Sequence, residues 1–169
     1  MPLTMYDASV PVFRRALATL TAILDKAEAH VAERQLDPSV LLQARLHEGM
    51  FPFVRQVQIA TDHAKGAAAR LSASESPRYV DDEGSFGELK TRIAKTIDFI
   101  MSIPVDGFED AADRPILLKL GASQLEFQGK SYLLTFALPN FFFHVTTAYD
   151  ILRHRDVAIG KSDFLGEIG

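Results

Sequence analysis

Apolar residues recur at alternating steps of three and four near the start of the chain: Val10, Phe13, Leu17, Leu20, Leu24, Ala27 and Val31. Side chains so spaced share one helix face, which predicts an amphipathic helix of about seven turns with Arg14, Arg15, Asp25, Lys26 and Glu28 off the stripe. A single such helix has nothing to bury its stripe against, so helices of similar length must accompany it. Asp37-Pro38 is an N-cap followed by proline at the first helical position and predicts a short helix to about Ala44. Gly49 and Pro52 then interrupt the chain. From Phe53 a second stripe of Phe53, Val57, Ala60, Ala64, Ala67 and Leu71 predicts a helix to about Ser72, with small residues that admit a close neighbour. Residues 72–84, SASESPRYVDDEG, are polar and carry Pro77 and Gly84, the composition of a mobile surface loop. Ser85 stands three residues before Glu88 in a capping-box pattern, opening a third long helix that bears Phe86, Leu89, Ile93, Ile97 and Ile100. Pro104 and Gly107 end it.

The period changes after Pro115. Ile116–Leu120 and Leu125–Phe127 are short apolar runs separated by Gly121 and followed by Gly129, which predicts a small hairpin or extended crossover. Pro139 either begins the main part of a last long helix or kinks it, since it lacks a backbone donor and its ring crowds the preceding turn. Phe141, Val145, Ala148 and Leu152 keep helical spacing beyond it, and the tail from Val157 is expected to lie over the helices as coil. The expected fold is all-α: a four-helix bundle with a short β-hairpin or extended crossover before the last helix, in one domain over residues 1–169.

Composition narrows the function classes. With 169 residues, 47% hydrophobic and 24% charged, the chain matches a soluble globular domain large enough to bury a core without disulfides or metal. Cysteine is absent, which removes thiolate metal sites, CxxC motifs and cysteine nucleophiles, and fits a cytoplasmic protein. A formal charge of −4 supplies no face that neutralises phosphates, so nucleic acid is not an expected partner. The N-terminal MPLTMYDASVPVF has no basic segment leading into an apolar run, so no signal peptide is expected. No apolar run has the length of a membrane span, and no membrane association is expected.

The motifs for phosphate and protease chemistry fail on inspection. Gly129-Lys130-Ser131 and Gly160-Lys161-Ser162 lack the glycine that a phosphate loop places five positions earlier, where Gln124 and Arg155 stand, so both are ordinary turns with solvated lysines. His47-Glu48 begins like a zinc-protease helix motif, but Phe51 occupies the place of the second histidine.

Polar residues on apolar helix faces are the remaining candidates. His144 follows Asn140 by four on a face that continues into Ala148 and Ile151, and two polar side chains there require hydrogen-bond partners or a ligand. On the second long helix Gln56, Ile59 and His63 share a face. If the second and last long helices are neighbours, His63 and His144 converge as candidate ligands of a divalent metal, zinc or nickel, with Gln56, Asn140, Asp62 or water completing the set. Hydrogen bonding of a buried Asn and His to each other, to backbone or to water is the competing explanation. Phe141, Phe142 and Phe143 spread over about 200° of helix surface, so at least one ring faces away from the bundle axis unless the tail covers it. An uncovered ring there points to a partner, most simply a second copy in a homodimer.

MYDASVPVF, FPFVRQVQIATDHAKG, LPNFFFHVTTAYDILRH and GKSDFLG together resemble the bacterial domain-of-unknown-function family numbered 1993, grouped with the DinB/YfiT-like metalloenzymes. The resemblance spans nearly the whole chain. It implies a four-helix bundle with a long crossover before the last helix, and common dimerisation. It further implies a divalent metal held by three histidines, one on the second helix and two spaced by four on the last. His144 matches one last-helix position and the second-helix position falls to His63 or Gln56, while Asn140 and Ala148 stand where a second last-helix histidine would be. Two function classes follow: a metal-dependent or small-molecule-binding protein with a pocket of Gln56, His63, Asn140, His144 and Tyr149, or a noncatalytic interaction module. In an enzyme, His144 would act as metal ligand or general base, with Asn140 orienting substrate or water.

Overall fold

The computed structural model describes residues 2–167, except for the side chain of Leu120. The first apolar stripe forms helix α1 (Val10–Glu33), and each of its seven stripe residues is buried. A single turn follows, α2 (Ser39–Leu42), entered through Asp37, whose Oδ1 accepts from the Ser39 N–H at 2.8 Å. The second long helix is α3 (Phe53–Ser72) and the third is α4 (Phe86–Ser102). Ser85 caps α4: its Oγ accepts from the Glu88 N–H at 3.2 Å, while the Glu88 carboxylate accepts from the Gly84 N–H at 2.8 Å. This is the reciprocal arrangement that the Ser85–Glu88 spacing predicts.

Strands β1 (Pro115–Leu120) and β2 (Ser123–Gln128) pair antiparallel, with Ile116 opposite Phe127 and Leu118 opposite Leu125. Gly121, at φ 61°, supplies the left-handed backbone of their two-residue loop. The hairpin leads into α5 (Gly129–Tyr132), a π-helical turn (Leu133–Ala137) and α6 (Leu138–His154) without a break. The π turn lies just before Pro139, where the proline ring and missing N–H disrupt regular helix, so the proline marks a change of helical pitch inside one rod. Gly129 sits where a Cβ would overlap the Ala111 carbonyl oxygen, so the GKS glycine is required by close backbone packing.

In packing, α1 lies against α4 and α6, and α3 lies against α4 and, most extensively, α6. Phe13 of α1 meets Phe141 of α6 edge to face at 4.9 Å between ring centroids. The result is a mostly helical domain with one small antiparallel hairpin. No helix among the described residues is long and apolar enough to cross a membrane.

Two expectations need correction. The polar segment expected as a mobile loop is anchored at several points, described below. The tail expected as coil contains α7 (Lys161–Leu165), which packs on α1. Asp163 explains it: its carboxylate accepts from the Gly160 N–H at 2.8 Å, ordering the first turn, and pairs with Lys26 of α1 at 2.6 Å.

Candidate functional site

The contact between α3 and α6 brings three of the expected residues together. Gln56, in the first turn of α3, is 1% exposed. Its Nε2 donates to the Phe51 carbonyl at 3.0 Å, and its Oε1 lies 2.7 Å from His144 Nδ1. The first bond fixes the second. An amide nitrogen cannot accept, so the Phe51 carbonyl turns the Gln56 oxygen toward the ring, and His144 must carry its proton on Nδ1. The Nε2 lone pair of His144 is thereby left free.

His63, two turns further along α3, lays its ring against that of His144 at 5.8 Å and 15° between planes. Phe136 meets the other side of His63 at 6.1 Å, and Phe143 packs edge-on to His144 at 5.2 Å. Burial lowers the pKa of His63 from the usual 6.5; the Asp62 carboxylate opposes this and the Arg70 guanidinium reinforces it. Burial, the His63 ring and the Arg55 guanidinium bring His144 down to about 4. Two imidazoles held neutral therefore face each other near neutral pH.

Asn140 and Tyr149 have other partners. Asn140 Nδ2 donates to the Phe136 carbonyl at 2.7 Å, back along its own helix. Tyr149 belongs to a different face: its ring packs edge-on to Phe164 of α7 at 5.9 Å. A residue five positions after His144 lies about 140° round the helix from it, so Tyr149 cannot line the same pocket. The Phe141–Phe143 run divides as its spacing predicts: Phe141 is fully buried and Phe143 is 56% exposed.

The chemistry of the donor set decides how far these residues suit a metal. His63 and His144 supply two imidazoles, one fewer than the three protein ligands usual for catalytic zinc. The Gln56 oxygen already accepts from His144, and the Asp62 carboxylate is held by Arg92 at 2.9 Å and Lys65 at 3.1 Å. Among the described residues no group of three or more His, Cys, Asp or Glu is arranged to hold a metal ion. The protein side chains alone do not complete a catalytic metal centre.

Arg92, beside the apolar stripe of α4, was not singled out by the sequence patterns. It is 3% exposed; Nε donates to Thr61 Oγ1 at 2.7 Å, Nη2 to Asp62 at 2.9 Å, and Nη1 to the Val80 carbonyl at 3.1 Å and Glu83 at 3.0 Å. Tyr79 lies against the guanidinium at 5.2 Å, Gln58 Nε2 donates to Glu83 at 2.8 Å, and Arg55 pairs with Asp81. The acidic segment Asp81–Glu83 is thus strapped onto α4 through buried Arg92 and onto α3 through Arg55 and Gln58. The available signal was an arginine three residues after Leu89 and directly before Ile93, on a buried face downstream of an acidic run.

The comparisons agree with this architecture. The family model of a domain of unknown function, DUF1993, matches residues 5–165. The crystal structure of a DinB family member protein from Shewanella denitrificans is 38% identical, with a TM-score of 0.89 over 97% of this chain and 93% of that one. No curated protein matches the chain significantly. With the family match running almost from end to end and a DinB family structure sharing both fold and sequence, the chain belongs to the DUF1993 family of DinB-like proteins.

Proposed function

We propose that the chain is a cytoplasmic, homodimeric DinB-like four-helix bundle that binds a small molecule at a degenerate histidine site made by Gln56, His63 and His144. The observation that carries this is the hydrogen-bond chain from the Phe51 carbonyl through the Gln56 amide to His144 Nδ1, which leaves the Nε2 lone pair as an oriented acceptor beside a second neutral imidazole. A ring kept neutral down to about pH 4 is too weak a base to remove a proton efficiently near neutrality, so His144 acts as an acceptor or ligand atom rather than a general base. Phe143, packed edge-on to His144 and 56% exposed, suits burial by a second copy.

Zinc or nickel is the second reading, favoured by the two adjacent neutral imidazoles; a metal at this site needs its remaining donors from the bound molecule or water. Titrating both ions into protein purified without a histidine tag tests it, with ring nitrogen resonances as readout. Metal-dependent shifts at His63 and His144 that vanish in both His63→Ala and His144→Ala support metal binding. Unshifted resonances in a folded wild type remove the metal and leave the molecule-binding reading, which then requires a ligand that moves the same two rings.

A further inference from the structure

A cavity of about 190 Å³ opens between α3, strand β1 and the turn from α5 into α6, lined by His63, Arg70, Leu118, Lys119, Tyr132 and Phe136. Tyr132 is 1% exposed, and its hydroxyl accepts from Arg70 Nη1 at 3.2 Å. A guanidinium only donates, so that bond leaves the hydroxyl hydrogen available, and no acceptor for it exists among the described residues. Arg70 and Lys119 have no carboxylate within 4.0 Å among the described residues. Asp62, a carboxylate that also lines the cavity, is already engaged by Arg92 and Lys65. Two solvent-exposed cations without a carboxylate partner and an unspent hydroxyl donor thus converge on a cavity that Asp62, His63, Phe136 and Leu118 also line.

Gly66 supplies the room that this arrangement uses. It lies one turn before Arg70 on α3, and the guanidinium folds back over it: a Cβ there would meet Arg70 Nη1 at 2.6 Å, and the three nearest side-chain atoms all belong to that guanidinium. A buried mid-helix glycine carries a penalty in helix stability. Here its missing side chain provides the space that lets Arg70 lie along the helix toward Tyr132.

The geometry points to a binding site for a small organic carboxylate with a flat apolar body, its carboxylate held by the Arg70 guanidinium and the Tyr132 hydroxyl and its body against Phe136. The planar fork of arginine matches the two oxygens of a carboxylate, and Lys119 adds charge at the mouth. The site shares only His63 with the histidine site proposed above and does not depend on metal there.

Benzoate is the probe, with benzamide as the uncharged shape match and inorganic phosphate as the anion without an apolar body, each titrated by calorimetry and amide chemical shifts. Wild type is expected to prefer benzoate over both, and Arg70→Met and Gly66→Ala are each expected to weaken benzoate by about tenfold or more, as is Tyr132→Phe by a smaller factor. Gly66→Ala is the decisive variant, because alanine favours the helix and its unfolding temperature should not fall. Absence of benzoate binding to folded wild type overturns the proposal. So does benzoate affinity within twofold of wild type in both Arg70→Met and Gly66→Ala, or equal affinity for phosphate. Zinc-induced shifts at His144, followed in the same samples, report on the histidine site separately.

Discussion

Substituting His144 by asparagine should make the fold less sensitive to acid. In the wild type the ring donates from Nδ1 to Gln56 and is held neutral to about pH 4, against 6.5 for a free histidine. Between those values the unfolded chain takes up a proton that the folded chain refuses, so stability falls as the pH drops through this window and levels off below it. The gap corresponds to about 3 kcal/mol for a fully screened-off group. The ring is only half-buried, and solvent screening brings the expected loss to about 1–2 kcal/mol. Asparagine keeps an amide N–H near the Nδ1 position, preserving the donor to Gln56, but does not titrate. His63 stacks on His144 and is coupled to it, so its own resonance is followed in both proteins and its contribution is subtracted before the difference between the profiles is taken. Urea unfolding of both proteins at several pH values between 7 and 4, with the histidine Cε1 proton resonances followed in parallel, measures it. Parallel stability profiles, or a His144 resonance that titrates near 6.5, would refute the assignment of a buried, neutral Nδ1–H ring.

Two further outcomes follow from particular contacts. Arg92→Met removes the cation at the centre of Asp62, Asp81 and Glu83, and should destabilise the domain by about 2–4 kcal/mol in urea unfolding while opening residues 74–84 to limited proteolysis; an uncut segment and unchanged stability would show that the strap holds without it. Phe143→Asp should convert a dimer to a monomer in sedimentation experiments, and a wild type that stays strictly monomeric at high concentration removes the second copy as the cover for this exposed ring.

What the sequence disclosed depended on whether a pattern had one physical cause. The α1 stripe, the Ser85–Glu88 cap and the hairpin around Gly121 were legible because helical spacing, reciprocal capping and a positive φ each leave a local signature. The ends of α1, α3 and α6 left none. Each closes with a non-glycine residue in the left-handed region, Gln35, Ala73 and Asp156, and a hydrogen bond from the following residue: Leu36 N–H to Val31 at 2.9 Å, Ser74 N–H to Ala69 at 2.9 Å and Val157 N–H to Leu152 at 3.1 Å. Glycine normally advertises such a cap, and none of these three positions carries one. The polar segment 72–84 looked like solvated loop because composition cannot distinguish acids facing water from acids facing a buried arginine. In the site, Gln56, His63 and His144 are readable from helix faces, whereas Tyr149 lies about 140° round α6 from His144 and packs on Phe164 instead. Arg70 and Tyr132 stayed hidden because the cavity they line exists only once the hairpin folds over α3.

The strap and the two candidate sites are electrostatically one system, linked through Asp62. This residue directly precedes His63 on α3, and its carboxylate raises the affinity of that ring for a proton. Left alone beside the cavity, it would also oppose any anion there. Arg92, fixed by Thr61 and the Val80 carbonyl, takes the same Asp62 oxygen that Lys65 approaches from within α3. With its charge answered from the α4 side, Asp62 does less to protonate His63, and the field in the cavity is set by Arg70 and Lys119. A buried arginine that touches neither His144 nor the cavity wall formed by Tyr132 therefore helps keep one pocket neutral and the other positive. The acidic segment above it stabilises that arginine in turn, since Asp81 and Glu83 share the guanidinium at 3.0 Å each. The polarity of the loop is thus a condition for the charge state of the helices beneath it.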